Sequence, residues 1–296
     1  MSRRRNRWLA AGAVLALAAS VVLALRADGE ARKRASARAR AADVLGEPQV
    51  VADPGVFEPS GVAFDARRGR LFVVGDEGHL AQLDPKGSRL QTVAAPVQVE
   101  DVAVMPDGSL LLVRELGGEL ILVDAETGRE KRRWRLDTAA LLGRGRGLDA
   151  NAGFEGLAFR AGANGAGVLY LVHQRSPAAV VAVGFDPAGP GGRVGAEAVQ
   201  SRWDLEHEGD LTAATWVPSL ERVVVIADAR DRLLVLDPRG AVEASIPLPG
   251  LQQEGLTFDD EGALWVADDR AGRLMRFPGA LERIGAALRA HSTEPK

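Results

Sequence analysis

Short apolar runs alternate with tight polar turns along most of this chain, and the runs are too brief for helices. Leu71 to Val74, Leu110 to Val113, Val168 to Val172, Arg222 to Ile226 and Leu264 to Ala267 are each four or five residues long, the signature of strands buried on both faces. A turn such as Asp65 to Gly69, Pro106-Asp107-Gly108 or Asp259 to Gly262 separates each from a preceding apolar strand. A following strand ends in Asp84-Pro-Lys-Gly87, Asp124 to Gly128, Asp186-Pro-Ala-Gly189 or Asp237-Pro-Arg-Gly240. In these turns Pro fixes φ early, Asp bonds its own backbone and Gly accepts positive φ. The pattern predicts a repeated four-stranded antiparallel meander.

An acid opens each repeat. The phrases are Phe57-Glu58-Pro-Ser-Gly61-Val-Ala-Phe64, Val99-Glu100-Asp-Val-Ala103-Val, Phe154-Glu155-Gly-Leu-Ala-Phe159, Gly209-Asp210-Leu-Thr-Ala-Ala214 and Gln253-Glu254-Gly-Leu-Thr-Phe258, at intervals of 42, 55, 55 and 44 residues. Four-stranded units at this period are propeller blades arranged around a central channel. The chain therefore reads as an all-β, five-bladed β-propeller, with six blades as the alternative. The last repeat lacks a fourth strand, and an orphan strand-like piece, Gln49 to Ala52, stands upstream of the first acid. It is expected to complete the fifth blade and close the ring.

The ends differ from this domain. Residues Trp8 to Leu25 form an apolar run of 18 residues behind Arg3, Arg4, Arg5 and Arg7, at the lower bound for a membrane-spanning helix. A cleaved signal peptide and an uncleaved anchor compete, and the length of the run with no small-x-small pair before Arg26 favours the anchor. The expected division is an anchor over 1–26, a polar linker without an apolar stripe over 27–46, the propeller over 47–279 and a C-terminal helix and tail over 280–296. In that tail Leu281, Ile284 and Leu288 share one helical face, expected to pack on the propeller.

Charge is as divided as hydropathy. Residues 1–42 carry a net charge of +8 and the remainder −11, which argues against a nucleic-acid partner and for cations. There is no cysteine, so disulfides, thiolate zinc sites and a lipidated N-terminal cysteine are excluded.

In a blade the start of the first strand and the end of the second share one rim. The opening acids Glu58, Glu100, Glu155, Asp210 and Glu254 are thus expected to converge on one channel mouth, beside a second set formed by Asp76, Glu115, Gln174, Asp228 and Asp268. Two unit charges about 8 Å apart repel by about 2 kcal/mol at an effective dielectric of about 20, so a metal, arginines, protonation or solvation must offset the ring. Oxygen ligands without Cys or convergent His point to Ca²⁺ over Mg²⁺, with the five opening acids as candidate ligands. Ion pairing to Arg114, Arg175, Arg230 and Arg270, each next to the second set, is the structural alternative. The four histidines, His79, His173, His207 and His291, have no metal-ligand spacing. Gly143-Arg-Gly-Arg-Gly147 falls in the long connection between blades two and three, where its arginines could guard the mouth.

Glu58-Pro-Ser-Gly61 with Leu71 to Glu77, Asn151-Ala-Gly-Phe-Glu155-Gly-Leu-Ala158, and Gln253-Glu254-Gly-Leu256 with Gly262 to Asp268 resemble the SdiA-regulated (YjiK-like) bacterial propeller family. The Asn-x-Gly-Phe-Glu-Gly-Leu-Ala phrase is also similar to phytase-like esterase domains. The first resemblance implies an extracytoplasmic propeller behind a membrane segment, with calcium as a candidate ligand. His173-Gln174-Arg175 departs from it, because relatives carry an acid after that strand. The expectation is a single-pass inner-membrane protein whose propeller faces the periplasm or cell exterior and binds or scaffolds a protein or small-molecule ligand. The alternative is a metal-dependent esterase, lactonase or phosphoester hydrolase with Glu155 or Glu254 as base.

Overall fold

The computed structural model describes residues 36–143, 152–250 and 252–292. Strand β1 (Gln49–Val51) precedes a first blade of β2 (Pro59–Asp65), β3 (Arg70–Gly75), β4 (His79–Leu83) and β5 (Arg89–Ala94). The second blade contains β6 (Asp101–Val104), β7 (Leu110–Arg114), β8 (Glu119–Val123) and β9 (Glu130–Leu136). The third contains β10 (Phe154–Ala161), β11 (Gly167–His173), β12 (Ala179–Phe185) and β14 (Val199–Asp204), and its β13 (Gly192–Val194) crosses over to pair in parallel with β9. The fourth is β15 (Leu211–Val217), β16 (Arg222–Ala227), β17 (Arg232–Leu236) and β18 (Val242–Pro247), and the fifth begins with β19 (Gln253–Phe258), β20 (Leu264–Asp268) and β21 (Arg273–Phe277).

Five blades close into a ring as the repeat predicts. The inner strands β2, β6, β10, β15 and β19 lie against one another in that order, and β19 returns to β2. β1 supplies the fourth strand of the last blade, pairing antiparallel with β21 through Val50 and Met275. The strands face neighbouring blades on both sides, which is why they read as continuous apolar runs. Leu80 and Leu112 pack between blades one and two, Leu111 and Leu171 between two and three, and Tyr170 and Val225 between three and four. Val224 and Leu264 fill the next interface, and Trp265 with Val73 the last. The Asp-led turns form by the expected route: Asp84 Oδ1 accepts from the Lys86 and Ser88 amides at 2.8 Å, and Asp237 Oδ1 from those of Arg239 and Ala241 at 2.7 and 2.9 Å.

The C-terminal helix, here α3 (Ala280–Ser292), packs as expected, with Ile284 buried and Leu281 and Leu288 against the interface of blades four and five. A short helix, α2 (Thr138–Leu142), follows β9, with Asp137 Oδ1 accepting from the Ala140 amide at its start. The linker needs correction, because residues 36–45 form a helix, α1. Ala37, Ala41 and Leu45, four residues apart, are buried, and Leu45 joins the cluster around Ile284. Alanine is the best helix former, and its small side chain makes too thin a stripe to stand out among arginines. The apolar run 8–25 lies outside the described residues; among those described, no helix is long and apolar enough to cross a membrane.

Candidate functional site

One end of the ring is defined by an irregularity that recurs in every inner strand. In blades one, three, four and five the ladder to the second strand shifts by one residue near the strand start. In blade two the Glu100 amide bonds the Val113 carbonyl although Asp101 is the residue paired with Val113. Such bulges re-aim one side chain per strand.

Register across the bulges fixes which residues are equivalent. Gly61, Asp101, Gly156, Ala213 and Gly255 occupy one level, where neighbouring inner strands nearly touch. A Cβ on Gly156 would lie 2.7 Å from Ala213 Cα, and one on Gly255 2.7 Å from the Ser60 carbonyl. Glycine in the repeated phrase is therefore a close-approach residue. The preceding level holds Ser60, Glu100, Glu155, Thr212 and Glu254. Three of the expected acids thus come together at equivalent positions, while Glu58 and Asp210 sit two residues earlier, level with Gln98, Gly153 and Gln252. The second set is Asp76, Glu115, Gln174, Asp228 and Asp269. Asp268 is replaced in it by Asp269 because Asp268 is the residue paired with Gln253, and it is buried, held by Arg273 at 2.9 Å and the Ala271 amide.

The three glutamates share one electrostatic problem. Burial first, then Asp76, Glu115 and Asp269, push Glu100 up to about 8. Burial, then Glu115, Glu100 and Glu254, push Glu155 up to about 9 against the opposing pull of Arg175. Glu254 is pushed up to about 8 by burial, Asp269, Glu100, Asp228 and Asp76. Asp269 rises to about 6 through burial and the nearby Glu58, Asp76 and Asp268, and Asp228 rises through burial and Asp210. Glu58 and Asp210 therefore act on this mouth from its edge.

Among the described residues the arginines are engaged elsewhere, apart from the pull of Arg175 on Glu155. Arg114 pairs with Glu119, and Arg230 with Glu208 and the His207 carbonyl. Arg175 reaches Asp210 at 3.4 Å. Among the described residues no hydrogen bond or ion pair reaches the carboxyls of Glu100, Glu155 or Glu254. At the same end Ser60 Oγ donates to Asp76 at 2.8 Å, and the Gln253 amide to Asp228 at 2.8 Å. His173 is buried, its Nδ1 2.7 Å from the Pro177 carbonyl and its ring edge-on to Phe154. Gly143-Arg-Gly-Arg-Gly147 falls, apart from Gly143, outside the described residues, as does Asn151.

Polar atoms without partners gather at this end. Among the described residues the buried side-chain atoms lacking a hydrogen bond are Arg114 Nε, Gln174 Oε1, both amide atoms of Gln253 and Asp269 Oδ1, while the His173 ring has the Ala152 backbone as a second partner. All belong to residues at the acidic ends of β7, β11, β19 and β20. Among those residues, no three His, Asp or Glu side chains are arranged to hold a metal ion.

Below the mouth the channel is obstructed. Asp101 is 1% exposed; its Oδ1 accepts from its own Val102 amide at 2.8 Å and its Oδ2 from Leu157 of blade three at 3.0 Å. The Ala214 amide of blade four bonds it too, and its Oδ1 lies 3.0 Å from where a Gly61 Cβ would stand in blade one. A side chain from blade two that touches blades one, three and four crosses the axis. Sequence reading missed Asp101, although an Asp where three other phrases have Gly was the available signal.

This is a closed five-bladed propeller with a plugged channel and an acidic mouth. The SdiA-regulated family model matches residues 54–206, more than half of the chain, and the protein belongs to that family. No curated protein matches it. The glutaminyl cyclase of Myxococcus xanthus is similar in fold, with 14% identity, a TM-score of 0.53, and coverage of 78% of this chain and 92% of that one. A virginiamycin B lyase from Staphylococcus aureus matches at 13% identity and a TM-score of 0.43, over 75% of this chain and 67% of that one.

Proposed function

We propose that this SdiA-regulated propeller is a binding module whose acidic mouth takes a cationic ligand, Ca²⁺ among inorganic ions, and that residues 8–25 hold it at the inner membrane with the propeller outside the cytoplasm. One observation carries the reading: the unpartnered buried polar atoms lie at the same end as three glutamates held near 8 to 9. Native proteins satisfy buried polar groups, and exceptions cluster where something else binds. A cation would favour the ionised carboxylates and expel their protons.

The donors are oxygens, which suits Ca²⁺. They are not assembled into a ready chelate, so binding requires side-chain movement, with Glu100, Glu155 and Glu254 as the inner ligands and Glu58 and Asp210 at the edge. Titrating the full chain with Ca²⁺ by calorimetry at pH 7, in two buffers of different ionisation enthalpy, tests this. Saturable heat that differs between buffers, reporting proton release, is expected. No heat and no thermal shift at millimolar Ca²⁺ would end the calcium reading. No observation favours the hydrolase alternative.

A further inference from the structure

The opposite end of the channel is apolar. Three residues after the close-approach level, the inner strands carry Phe64, Val104, Phe159, Trp216 and Phe258 at equivalent positions. Aromatic residues are 5% of the chain, yet four stand in this one ring. With the rim residues Ala66 and Ser219 they line a cavity of about 390 Å³. This lies within the range of small-molecule sites, about 300 to 1,000 Å³.

Each of the five also packs against an interface between blades, Phe159 edge-on to Phe185 and Trp216 stacked on Tyr170 with Arg160 over its ring. Val104 fills the same level of blade two with no aromatic group. All five remain only partly buried, so part of each apolar surface is left facing a concavity, the setting in which small molecules bind. Asp101 crosses the axis between this cavity and the acidic mouth, so the cavity is a blind pocket.

The lining defines the ligand. No Lys or Arg lines the cavity itself; Arg160 lies over the Trp216 ring but belongs to a neighbouring cavity with Tyr170 and Trp203, so no cation faces a ligand from the wall. Asp259 is spent on the Trp265 indole N–H at 2.9 Å and on Arg276 at 3.2 Å. The hydroxyls of Thr215, Thr257 and Ser219 and the exposed Asp260 remain as polar groups around an aromatic wall. Thr257 Oγ1 already accepts from the Phe64 amide at 3.3 Å.

We propose that this pocket binds a neutral, ring-containing apolar small molecule carrying a hydrogen-bond donor. The site is independent of the acidic mouth and of any cation there. Trp216 in its wall supplies the readout. The full chain in lipid nanodiscs, with empty discs as blank, is titrated with 2-naphthol while tryptophan emission is followed. Saturable quenching is expected, weakened by about tenfold or more in Ala66→Phe and Ser219→Phe, which fill an exposed rim and should leave the melting temperature unchanged. Trp216→Phe should remove most of the quenching while calorimetry still detects binding. Absence of a saturable component, or one undiminished in both rim variants, overturns the proposal.

Discussion

Replacing Glu155 with Gln should stabilise the ligand-free protein, and only at high pH. The Glu155 carboxyl lies near 9 in the folded protein against an ordinary value of 4.5. Between those values the folded state binds a proton that the unfolded state has lost, so stability is full below pH 4.5 and declines as pH rises through the folded value. At full weight the difference corresponds to about 6 kcal/mol. The side chain is only partly buried, so solvent screening reduces the contribution to about 1 to 2 kcal/mol. For a domain of this size that is about 2 to 8 °C in melting temperature. Thermal melts followed by circular dichroism in chelator should show wild type losing stability from pH 5 to 9, with the variant matching it at pH 5 and exceeding it at pH 9. Equal melting at pH 9, or a variant less stable throughout, would show that the carboxylate is favourably held and that the mouth is not under electrostatic load.

Two further outcomes test the ring itself. Asp101→Ala leaves the Val102, Leu157 and Ala214 amides without their acceptor, at about 1 to 3 kcal/mol for each buried donor, so the melting temperature should drop by several degrees; an unchanged melt would mean that Asp101 does not tie the blades. Deleting residues 47–53 removes β1 and exposes the outer edge of β21, and denaturant unfolding should become broad and multiphasic, whereas a single sharp transition at the original midpoint would refute closure by β1.

Blade number, turn chemistry and the closing strand were legible because each is a local pattern: two-faced apolar runs, Asp-led turns, and one strand left over. The placement of the acids was only partly legible. Aligning the repeats on their acids puts Glu58 and Asp210 beside Glu100, Glu155 and Glu254. Aligning them on Gly61, Gly156 and Gly255 puts Ser60 and Thr212 there instead, as the bulges require. Backbone contact decides the register, and glycine records that contact more faithfully than a side chain at a solvent-facing mouth. The one-residue error at Asp268 has a related cause: two aspartates stand in succession, and the ladder pairs the first with Gln253 as it pairs Ala227 with Leu211, leaving Asp269 equivalent to Asp228. The aromatic ring is also written in the repeated phrases, at Phe64, Phe159 and Phe258.

The pairing of β1 with β21 has a further bearing on how the protein is made. The strand of the ring that is made first must wait for the strand that is made last before it gains a partner, so the toroid stays unlocked until the whole propeller has been synthesised. Trimming it at opposite ends therefore damages one and the same sheet.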